Sequence, residues 1–469
     1  MNRIDLAQAK GRKWDVILVG TSFAAMFFAH ALRDRDIDVL FVERGPYMDH
    51  GTQLAGRQSD VPPQMVQTNS SGQQKDWALR YQFGGCSNCW WGNTPRLHPS
   101  DFALRSRYGV GADWPISYDT LEPWLCKVEE IMQVAGGGNN AIFPRSRPYP
   151  YPAHTPTRAE RRLFESDKSW TPMPTARANG GDRGTCCASG ACHLCPVDAK
   201  FTILNGQADF EDPRFYLLTG AECRAIPTAA GLATGIVVRT VSEVETELRS
   251  SFVGLAANPM GSSTILLRSG LGGERVGQGI HEQLGQFAWA DIPFDNYYGG
   301  TSITGVGYAL YDGSFRSEAA SVLIESWNAP PSLRLEPGKW LQRLKLKFVA
   351  EDLPQTSNRI VLENDEPRLM WGGHSAYAFA GLARARSRVA DLVSFADNFS
   401  FGGFEPTEAH IIGGTPMAER RDDGVVDPEC RLFDVPNLAC LGASTFPTSS
   451  AANPTLTLSA LSMFLGSRL

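Results

Sequence analysis

The sequence has no long apolar run and no long run of one charge. No stretch of its 469 residues approaches 18 consecutive apolar residues, so we expect no membrane-spanning helix. The 44 basic and 50 acidic residues are interspersed and give a net charge of −6. This argues against nucleic acid or an anionic membrane as a partner, because both require a concentrated basic surface. The composition is that of a globular protein, and the length suggests two to three domains.

The first residues also lack the apolar core of a signal peptide. The segment MNRIDLAQAKGRKW carries Arg, Asp and Lys where that core would lie. We therefore expect this chain on its own to be cytoplasmic. Its ten cysteines are too few for a disulfide scaffold at this length, and a cytosolic cysteine cluster more often binds metal.

Residues 14–45, WDVILVGTSFAAMFFAHALRDRDIDVLFVERG, predict a strand–helix–strand unit. The apolar run at 16–19 is typical of a strand buried on both faces, and 24–32 suits a helix packed against it. A second strand at 39–42 ends in Glu43. Such a unit brings a pyrophosphate onto the N-terminus of its helix.

The turn of this unit reads Gly20-x-Ser22-x-x-Ala25, with serine in place of the second glycine. Ala25 is small enough for close packing of helix and strand. Glu43 lies 23 residues after Gly20, near the spacing of a carboxylate that accepts hydrogen bonds from ribose hydroxyls. The pattern favours a dinucleotide without separating NAD from FAD, and a structural unit without ligand is the alternative.

The C-terminal segment 409–461 contains a series of spaced motif residues. They are His410, Gly414-Thr415, Met417, Val425-Val426-Asp427, Arg431, Asn437-Leu438, Ala443-Ser444, Pro447-Thr448 and Asn453-Pro454-Thr455-Leu456-Thr457. This series resembles the signature of the glucose–methanol–choline (GMC) flavoprotein oxidoreductases, and within them bacterial FAD-dependent sugar dehydrogenases and pyranose oxidases. Residues 81–102 resemble the Gly-Gly flavin loop of that family, and 252–270 resemble one of its strand–helix pairs.

The resemblance implies an α/β fold, α+β overall, in which a Rossmann-like FAD-binding domain joins an antiparallel-sheet substrate domain. The implied segments are 1–135 (FAD-binding, flavin loop at 81–98), 136–200 (cysteine-rich insertion), 201–290 (FAD-binding), 291–405 (substrate domain) and 406–469 (FAD-binding, with the catalytic residues). Within the substrate domain, LKLKF at 344–348 predicts a half-exposed strand and NRIVLEND at 358–365 a short one. Residues 383–396 predict a partly exposed helix.

The same resemblance implies which residues contact FAD. They are Gly20, Ser22, Ala25, Glu43, Gly84, Gly85, Ser87, Asn88, Cys89, Ala443, Ser444, Asn453, Pro454 and Thr455. Sugar-oxidising relatives with covalent FAD have a histidine where this chain has Cys89. A histidyl link is therefore excluded at that position. Non-covalent FAD is the expected state, and a cysteinyl link through Cys89 is the alternative.

Oxidation of an alcohol requires the loss of a proton from oxygen and of a hydride from carbon. Flavin takes the hydride, so the protein must supply a base, for which neutral imidazole is suited. The motif position identifies His410 as the base. Asn453, 43 residues later, would hold the reacting hydroxyl of a sugar, polyol or other small alcohol. A helix cap is its alternative role, because Asn-Pro commonly opens a helix.

Four cysteines, Cys186, Cys187, Cys192 and Cys195, lie within CCASGACHLCP at 186–196. The segment resembles the insertion of bacterial sugar dehydrogenases that carries a 3Fe-4S cluster, although its last gap is two residues instead of three. Zinc and metal-free thiols remain alternatives. A cluster would imply a cytochrome-type acceptor and a small partner subunit that brings an export signal. Without a cluster, an oxygen-using sugar or alcohol oxidase is expected.

Overall fold

The computed structural model describes residues 1–56, 66–69 (backbone only), 75, 77, 79–137, 142–241, 244–296, 299–328 and 333–469. Across these ranges, no helix is both long enough and apolar enough to cross a membrane.

The described residues form nine α-helices and twenty-two strands. The helices are α1 (Leu6–Lys10), α2 (Phe23–His30), α3 (His50–Gly56), α4 (Leu104–Tyr108), α5 (Tyr118–Ile131), α6 (Arg158–Ser166), α7 (Asn258–Ser269), α8 (Ala376–Leu392) and α9 (Thr455–Gly466). The strands are β1 (Asn2–Arg3), β2 (Trp14–Val19), β3 (Val39–Glu43), β4 (Val66–Asn69), β5 (Ala135–Gly136), β6 (Tyr151–Pro152), β7 (Trp170–Pro172), β8 (Phe215–Thr219), β9 (Glu222–Ala225), β10 (Thr228–Ala229), β11 (Leu232–Ala233), β12 (Gly235–Arg239), β13 (Glu245–Leu255), β14 (Leu284–Asp291), β15 (Ile303–Gly307), β16 (Val322–Trp327), β17 (Arg343–Ala350), β18 (Arg359–Glu363), β19 (Glu366–Trp371), β20 (Asp397–Phe404), β21 (Arg431–Leu432) and β22 (Val435–Cys440).

A nine-stranded sheet forms the first layer of the fold. Its strand order is β1-β8-β3-β2-β13-β12-β9, with β22 pairing parallel to the end of β13 and β21 pairing with β22. The predicted strand–helix–strand unit is confirmed as β2, α2 and β3. Both strands are almost entirely buried because they lie inside the sheet and α2 covers one of its faces. Helix α9 packs against α2 and α5 and anchors the C-terminal motif to this layer.

A six-stranded antiparallel sheet, in the order β20-β14-β17-β16-β15-β7, forms the second layer. The strand predicted at 344–348 is confirmed within β17, but it is more buried than expected. Leu344, Leu346 and Phe348 pack in a core with α8, whereas the alternate residue Lys347 is buried in an ion pair on the other side. The predicted strand at 358–365 is β18. The predicted helix is α8, which ends at Leu392.

The two sheets take strands from segments far apart in the sequence. The nine-stranded sheet combines strands from within residues 2–255 with β21 and β22 near the end of the chain. The six-stranded sheet uses β7 and β14 as well as the strands of 303–404. The space between these layers contains the candidate site.

Candidate active site

A cavity of about 730 Å³ starts at the carboxyl ends of β2, β3, β13 and β22. In parallel sheets these ends meet at one edge, so the loops that follow them share that edge. The cavity then continues along residues 85–93 to the six-stranded sheet. We call the part around Gly20 and Glu43 the nucleotide end and the part around His410 and Glu325 the reactive end.

Gly20 at the nucleotide end allows the backbone to pass very close to a neighbouring strand. Its φ is +102°, and a Cβ at this position would lie 2.5 Å from the carbonyl oxygen of Ala256. Ser22, two residues after Gly20, precedes α2 without capping it through its side chain. The backbone N–H groups of the first turn of α2 therefore remain available to an anionic group.

Glu43 is buried at the end of β3 and is tied to two loops. It accepts hydrogen bonds from the Thr21 hydroxyl (2.6 Å) and from the Gly45 backbone N–H (2.9 Å). Burial raises its pKa to about 7. The Thr21 hydroxyl in turn accepts a hydrogen bond from the Gly84 N–H (3.0 Å). Thr21 therefore joins the carboxylate, the Gly20 turn and the Gly84-Gly85 loop.

The loop at 81–98 turns through Gly84 and Gly85, whose φ values are positive, into a 3₁₀ helix at Gly85–Asn88. The Asn88 amide donates to the carbonyls of Phe83 and Gly85, at 2.9 and 3.0 Å. The Ser87 hydroxyl accepts a hydrogen bond from the backbone of Ile203 (3.2 Å). Ser87 and Asn88 thus hold the shape of the loop.

The buried Lys200 ties this loop to the cysteine segment. Its ammonium donates to the carbonyls of Asn88 (3.0 Å), Trp90 (2.7 Å) and His193 (3.1 Å). Burial lowers the pKa of Lys200 to about 8. His193 also lines the cavity, so the two segments share one wall.

His410, Asn453 and Gln283 meet at the reactive end. The Gln283 amide nitrogen donates to the carbonyls of Ser450 (2.7 Å) and Ala452 (2.8 Å), which turns its oxygen toward His410 Nδ1 at 2.6 Å. A carbonyl oxygen accepts only a hydrogen, so Nδ1 carries the proton and Nε2 has a free lone pair. The Asn453 amide nitrogen lies 3.3 Å from Nε2.

The environment of His410 keeps its imidazole neutral. Burial lowers its pKa to about 4, with Lys347 and Lys75 acting in the same direction and Glu282 opposing them. At neutral pH the Nε2 atom is therefore unprotonated and able to accept a proton.

A face of the six-stranded sheet covers the reactive end. Glu325 of β16 lies directly opposite Lys347 of β17, and Lys347 binds the Glu408 carboxylate at 2.7 Å. Glu325 is 3% exposed and accepts hydrogen bonds from Asn93 (3.1 Å) and the Trp327 indole (2.7 Å). Burial raises the pKa of Glu408 to about 7, although the Lys347 ammonium opposes the rise.

Three aromatic side chains complete this wall. The Trp327 ring lies between Trp91 and Phe287, with ring centroids at 4.8 and 5.1 Å. All three line the cavity beside Glu325 and Lys347. The reactive end therefore combines apolar ring faces with charged and amide groups, a combination that suits a small polar molecule with C–H faces.

The residues present fit a dinucleotide cofactor. The cavity is long enough to reach from the Gly20 turn to His410, and the Cβ that Gly20 lacks would narrow the approach to the turn. At the reactive end, the side-chain oxygen of Asn453 (Oδ1) is buried and has no hydrogen-bond partner among the described residues. A buried acceptor of this kind is commonly satisfied by a ligand.

Residues 382–462 match the family model described as GMC oxidoreductase. Over these residues the chain resembles the GMC oxidoreductases. It is 26% identical to the fructose dehydrogenase large subunit of Gluconobacter japonicus, over 96% of this chain and 96% of that protein. It is also 26% identical to paromamine 6′-oxidase of Streptomyces fradiae, over 96% and 90%. Formate oxidase of Aspergillus oryzae has the same fold, with a TM-score of 0.68 at 13% identity over 97% of this chain and 98% of that one.

The structure places most of the predicted cofactor residues on the cavity. These are Gly20, Ser22, Glu43, Gly85, Cys89, Ala443, Asn453, Pro454 and Thr455. Ala25 is a buried residue of α2. Four other predicted residues do not line the cavity but form hydrogen bonds within the loops behind its wall: Gly84, Ser87, Asn88 and Ser444. Helix α9 begins at Thr455 with Pro454 as its N-cap, so Asn453 does not cap it.

The thiols of the insertion cysteines contact different partners. The thiol of Cys192 lies 2.9 Å from the Ser302 hydroxyl, and that of Cys186 lies 3.4 Å from the Thr301 hydroxyl. Cys195 accepts a hydrogen bond from the Ala199 backbone, while Cys187 is exposed. Within the described ranges, no group of three or more His, Cys, Asp or Glu side chains could hold a metal. This arrangement does not fit an iron–sulfur cluster.

Sequence reasoning missed Thr21, Gln283, Glu325, Lys347 and Glu408. Thr21 lies inside the predicted turn, where its hydroxyl was the available signal. The other four lie on strands or loops whose local pattern carries no sign of a site, because the contacts that matter are made across the two sheets.

Proposed function

We propose that this protein uses FAD to oxidise a CH–OH group, with His410 Nε2 as the base. One observation carries the proposal. The His410–Asn453 pair and the Gly20–Glu43 turn lie at opposite ends of one cavity, so a dinucleotide bound at the turn reaches the pair. The sequence motif had predicted both ends but not that a single space connects them.

The residues that would hold FAD follow from their places on the cavity. Gly20, Ser22 and Glu43 face its adenosine and pyrophosphate half, and the loop at Gly85 and Cys89 faces the ring. When bound, FAD supplies the acceptor for the hydride that leaves the substrate carbon.

His410 and Asn453 act on the substrate hydroxyl. Nε2 of His410 accepts the hydroxyl proton, and Gln283 stabilises the ring by accepting the Nδ1 hydrogen. The Asn453 amide donates to the hydroxyl oxygen and orients it beside Nε2. Because the imidazole is neutral at ordinary pH, no prior deprotonation is needed.

We propose a sugar or polyol as the substrate. The rings of Trp91, Trp327 and Phe287 offer apolar faces to its C–H groups, and Glu325 and Lys347 offer an acceptor and a donor to its hydroxyls. Two relatives, a fructose dehydrogenase and a paromamine oxidase, are named for polyhydroxylated substrates, which agrees with this proposal.

The described residues contain no group of three or more His, Cys, Asp or Glu side chains that could hold a metal, so the geometry offers no support for electron transfer through a cluster. An oxygen-using sugar or alcohol oxidase, the sequence-based alternative, is consistent with this placement. A small partner subunit and a cytochrome-type acceptor remain predictions, and the relative named as a large subunit is their only support. Location in the cytoplasm, or export in a complex, also remains a prediction.

The test is purification without air, followed by analysis of flavin, iron and sulfide and by additions of candidate substrates. We expect FAD bound to the chain, no stoichiometric iron or sulfide, and loss of the flavin absorbance band on addition of at least one sugar or polyol. Retained FAD that no sugar, polyol or simple alcohol reduces would contradict the proposed reaction. Iron and sulfide at the level of one cluster per chain would instead support electron transfer from the flavin through an iron–sulfur cluster.

Gln283 offers a more specific prediction. Gln283→Met removes the acceptor for the His410 Nδ1 hydrogen, so the ring tautomer is no longer fixed. We expect the rate of flavin reduction at saturating substrate to fall about 10- to 100-fold. Substrate affinity and flavin content should stay close to those of the unmodified enzyme.

Gln286→Met is the matched control. Gln286 is a buried glutamine of β14, three residues after Gln283, and its amide donates to the Gly402 carbonyl, away from His410. It should leave the rate at saturation unchanged. Equal losses in the two variants, or a Gln283→Met effect confined to substrate affinity, would show that Gln283 has only a structural role.

A further inference from the structure

Two cysteines of the loop at 81–98 face the same cavity. Cys86 and Cys89 both line it, together with Gly20 and Ser22 of the dinucleotide turn. Cys86 is exposed and Cys89 half-buried. Two cysteines separated by two residues near a β–α–β unit have the spacing of redox-active dithiols.

The local backbone brings the two side chains onto one side of the loop. The Cys89 N–H donates to the Cys86 carbonyl (3.2 Å) at the end of the 3₁₀ helix Gly85–Asn88. In a 3₁₀ helix, side chains three residues apart eclipse each other, and a rise of about 2.0 Å per residue separates them by about 6 Å along the axis. Disulfides form between Cα atoms about 4.4 to 6.8 Å apart.

The thiols already contact each other. A hydrogen bond joins the Cys86 and Cys89 side chains and raises the pKa of Cys86 well above its ordinary value. All ten cysteines lie in the described part of the chain, and none of them is in a disulfide. The pair is therefore present as two adjacent free thiols.

The surrounding contacts would allow the pair to close without moving the loop. The Asn88 amide fixes the turn to Phe83 and Gly85, and Lys200 holds the carbonyls of Asn88 and Trp90. These bonds act on the backbone and on Asn88, so they leave both sulfur atoms able to react from the cavity side.

We propose that Cys86 and Cys89 form a redox-active dithiol that closes reversibly to a disulfide on the cavity wall. Closing breaks two S–H bonds, forms one S–S bond and releases two electrons and two protons. A two-electron oxidant takes them. It is either the oxidised flavin ring in the cavity, which becomes the dihydro form, or a small disulfide from solution, which becomes two thiols. Oxidation by the flavin rests on the proposed function, whereas oxidation by a small disulfide does not.

The flavin-loaded protein tests the proposal by peptide mapping. The protein is equilibrated without air at a series of ratios of oxidised to reduced glutathione, quenched in acid, alkylated and digested with trypsin. Cleavage after Arg80 and Arg96 releases residues 81–96, a peptide whose cysteines are Cys86 and Cys89 alone. We expect a transition from a doubly alkylated peptide to an unalkylated one that is two hydrogens lighter.

A second arm identifies the oxidant. The reduced protein, freed of thiol reagent and kept without air or added disulfide, is followed by flavin absorbance and by the same mapping. Loss of the flavin band together with both thiols assigns the flavin as the oxidant. Closure only in the glutathione series assigns a disulfide from solution. Neither experiment requires the alcohol substrate. If the proposed alcohol oxidation fails, the peptide map still shows whether Cys86 and Cys89 form a disulfide.

Variants separate this pair from the other thiols. Cys86→Ser and Cys89→Ser should each leave one alkylated cysteine in the peptide at every ratio. Cys187→Ser, which changes an exposed cysteine of the insertion, should leave the transition unchanged. The proposal is overturned if both cysteines of the unmodified protein stay alkylated at every ratio, or if the peptide carries flavin attached through Cys89.

Discussion

We expect the His410→Ala protein to retain its flavin and to lose about 10²- to 10⁴-fold in the rate of flavin reduction by substrate. The imidazole Nε2 is the only neutral base that the described residues place beside Asn453, so its removal leaves the hydroxyl proton without an acceptor. The measurement is rapid mixing with substrate in the absence of air. Because alanine leaves a small space and no charge, flavin content should not change.

His30→Asn is the control for this variant. His30 lies on α2 beside Phe210, away from the reactive end, and its replacement should leave the reduction rate unchanged. An undiminished rate in His410→Ala would remove His410 from the reaction.

The pH profile of the unmodified enzyme extends the same prediction. Burial lowers the pKa of His410 to about 4, so the imidazole remains neutral, and active, as the pH falls from 7 to about 5. Loss of rate from this group begins only as the pH approaches 4. Glu43 and Glu408 have pKa values raised to about 7, so a change in rate near pH 7 would belong to one of them. Glu408→Gln would abolish that change if Glu408 causes it.

We expect Gly20→Ala to abolish stable flavin binding and to destabilise the protein by about 3 kcal/mol or more. Two effects add at this position. A residue with a Cβ is strained at a φ of +102°, and that Cβ would lie 2.5 Å from the Ala256 carbonyl oxygen. The strands that meet there, β2 and β13, are paired in fixed register and cannot separate without breaking the sheet. Flavin content and the midpoint of thermal unfolding measure the two consequences.

Gly270→Ala is the control that separates backbone strain at a positive φ from a steric clash of the added Cβ. Gly270 ends α7 with a φ of +65°, and a Cβ there would meet nothing within 4 Å. We expect only the strain cost, about 1 to 2 kcal/mol, and full flavin content. If Gly20→Ala behaves like Gly270→Ala, the close approach of the two strands does not control cofactor binding.

Local pattern was enough to predict the elements that carry the dinucleotide turn. The apolar run before Gly20, the helix after it and the acidic end of β3 each depend on neighbours within a few residues, so β2, α2 and β3 could be placed from the sequence. The motif around His410 and Asn453 likewise predicted a pair, and the structure brings the two side chains to 3.3 Å. The burial of Lys347 could not be predicted, because alternation along β17 does not show what covers each face.

The sequence by itself therefore determined the dinucleotide unit, the family resemblance and the identity of the proposed base. Only the tertiary structure decided what surrounds that base, because these contacts join residues that are far apart in the sequence. Gln283, just before β14, contacts His410 127 positions later, and Lys347 and Glu325 meet across β17 and β16. The tertiary structure also leaves the insertion cysteines outside any metal-binding group among the described residues, and it places Cys86 and Cys89 on one cavity wall. Spacing along the chain limits which cysteines can meet, but the packing of the two sheets sets which of them do.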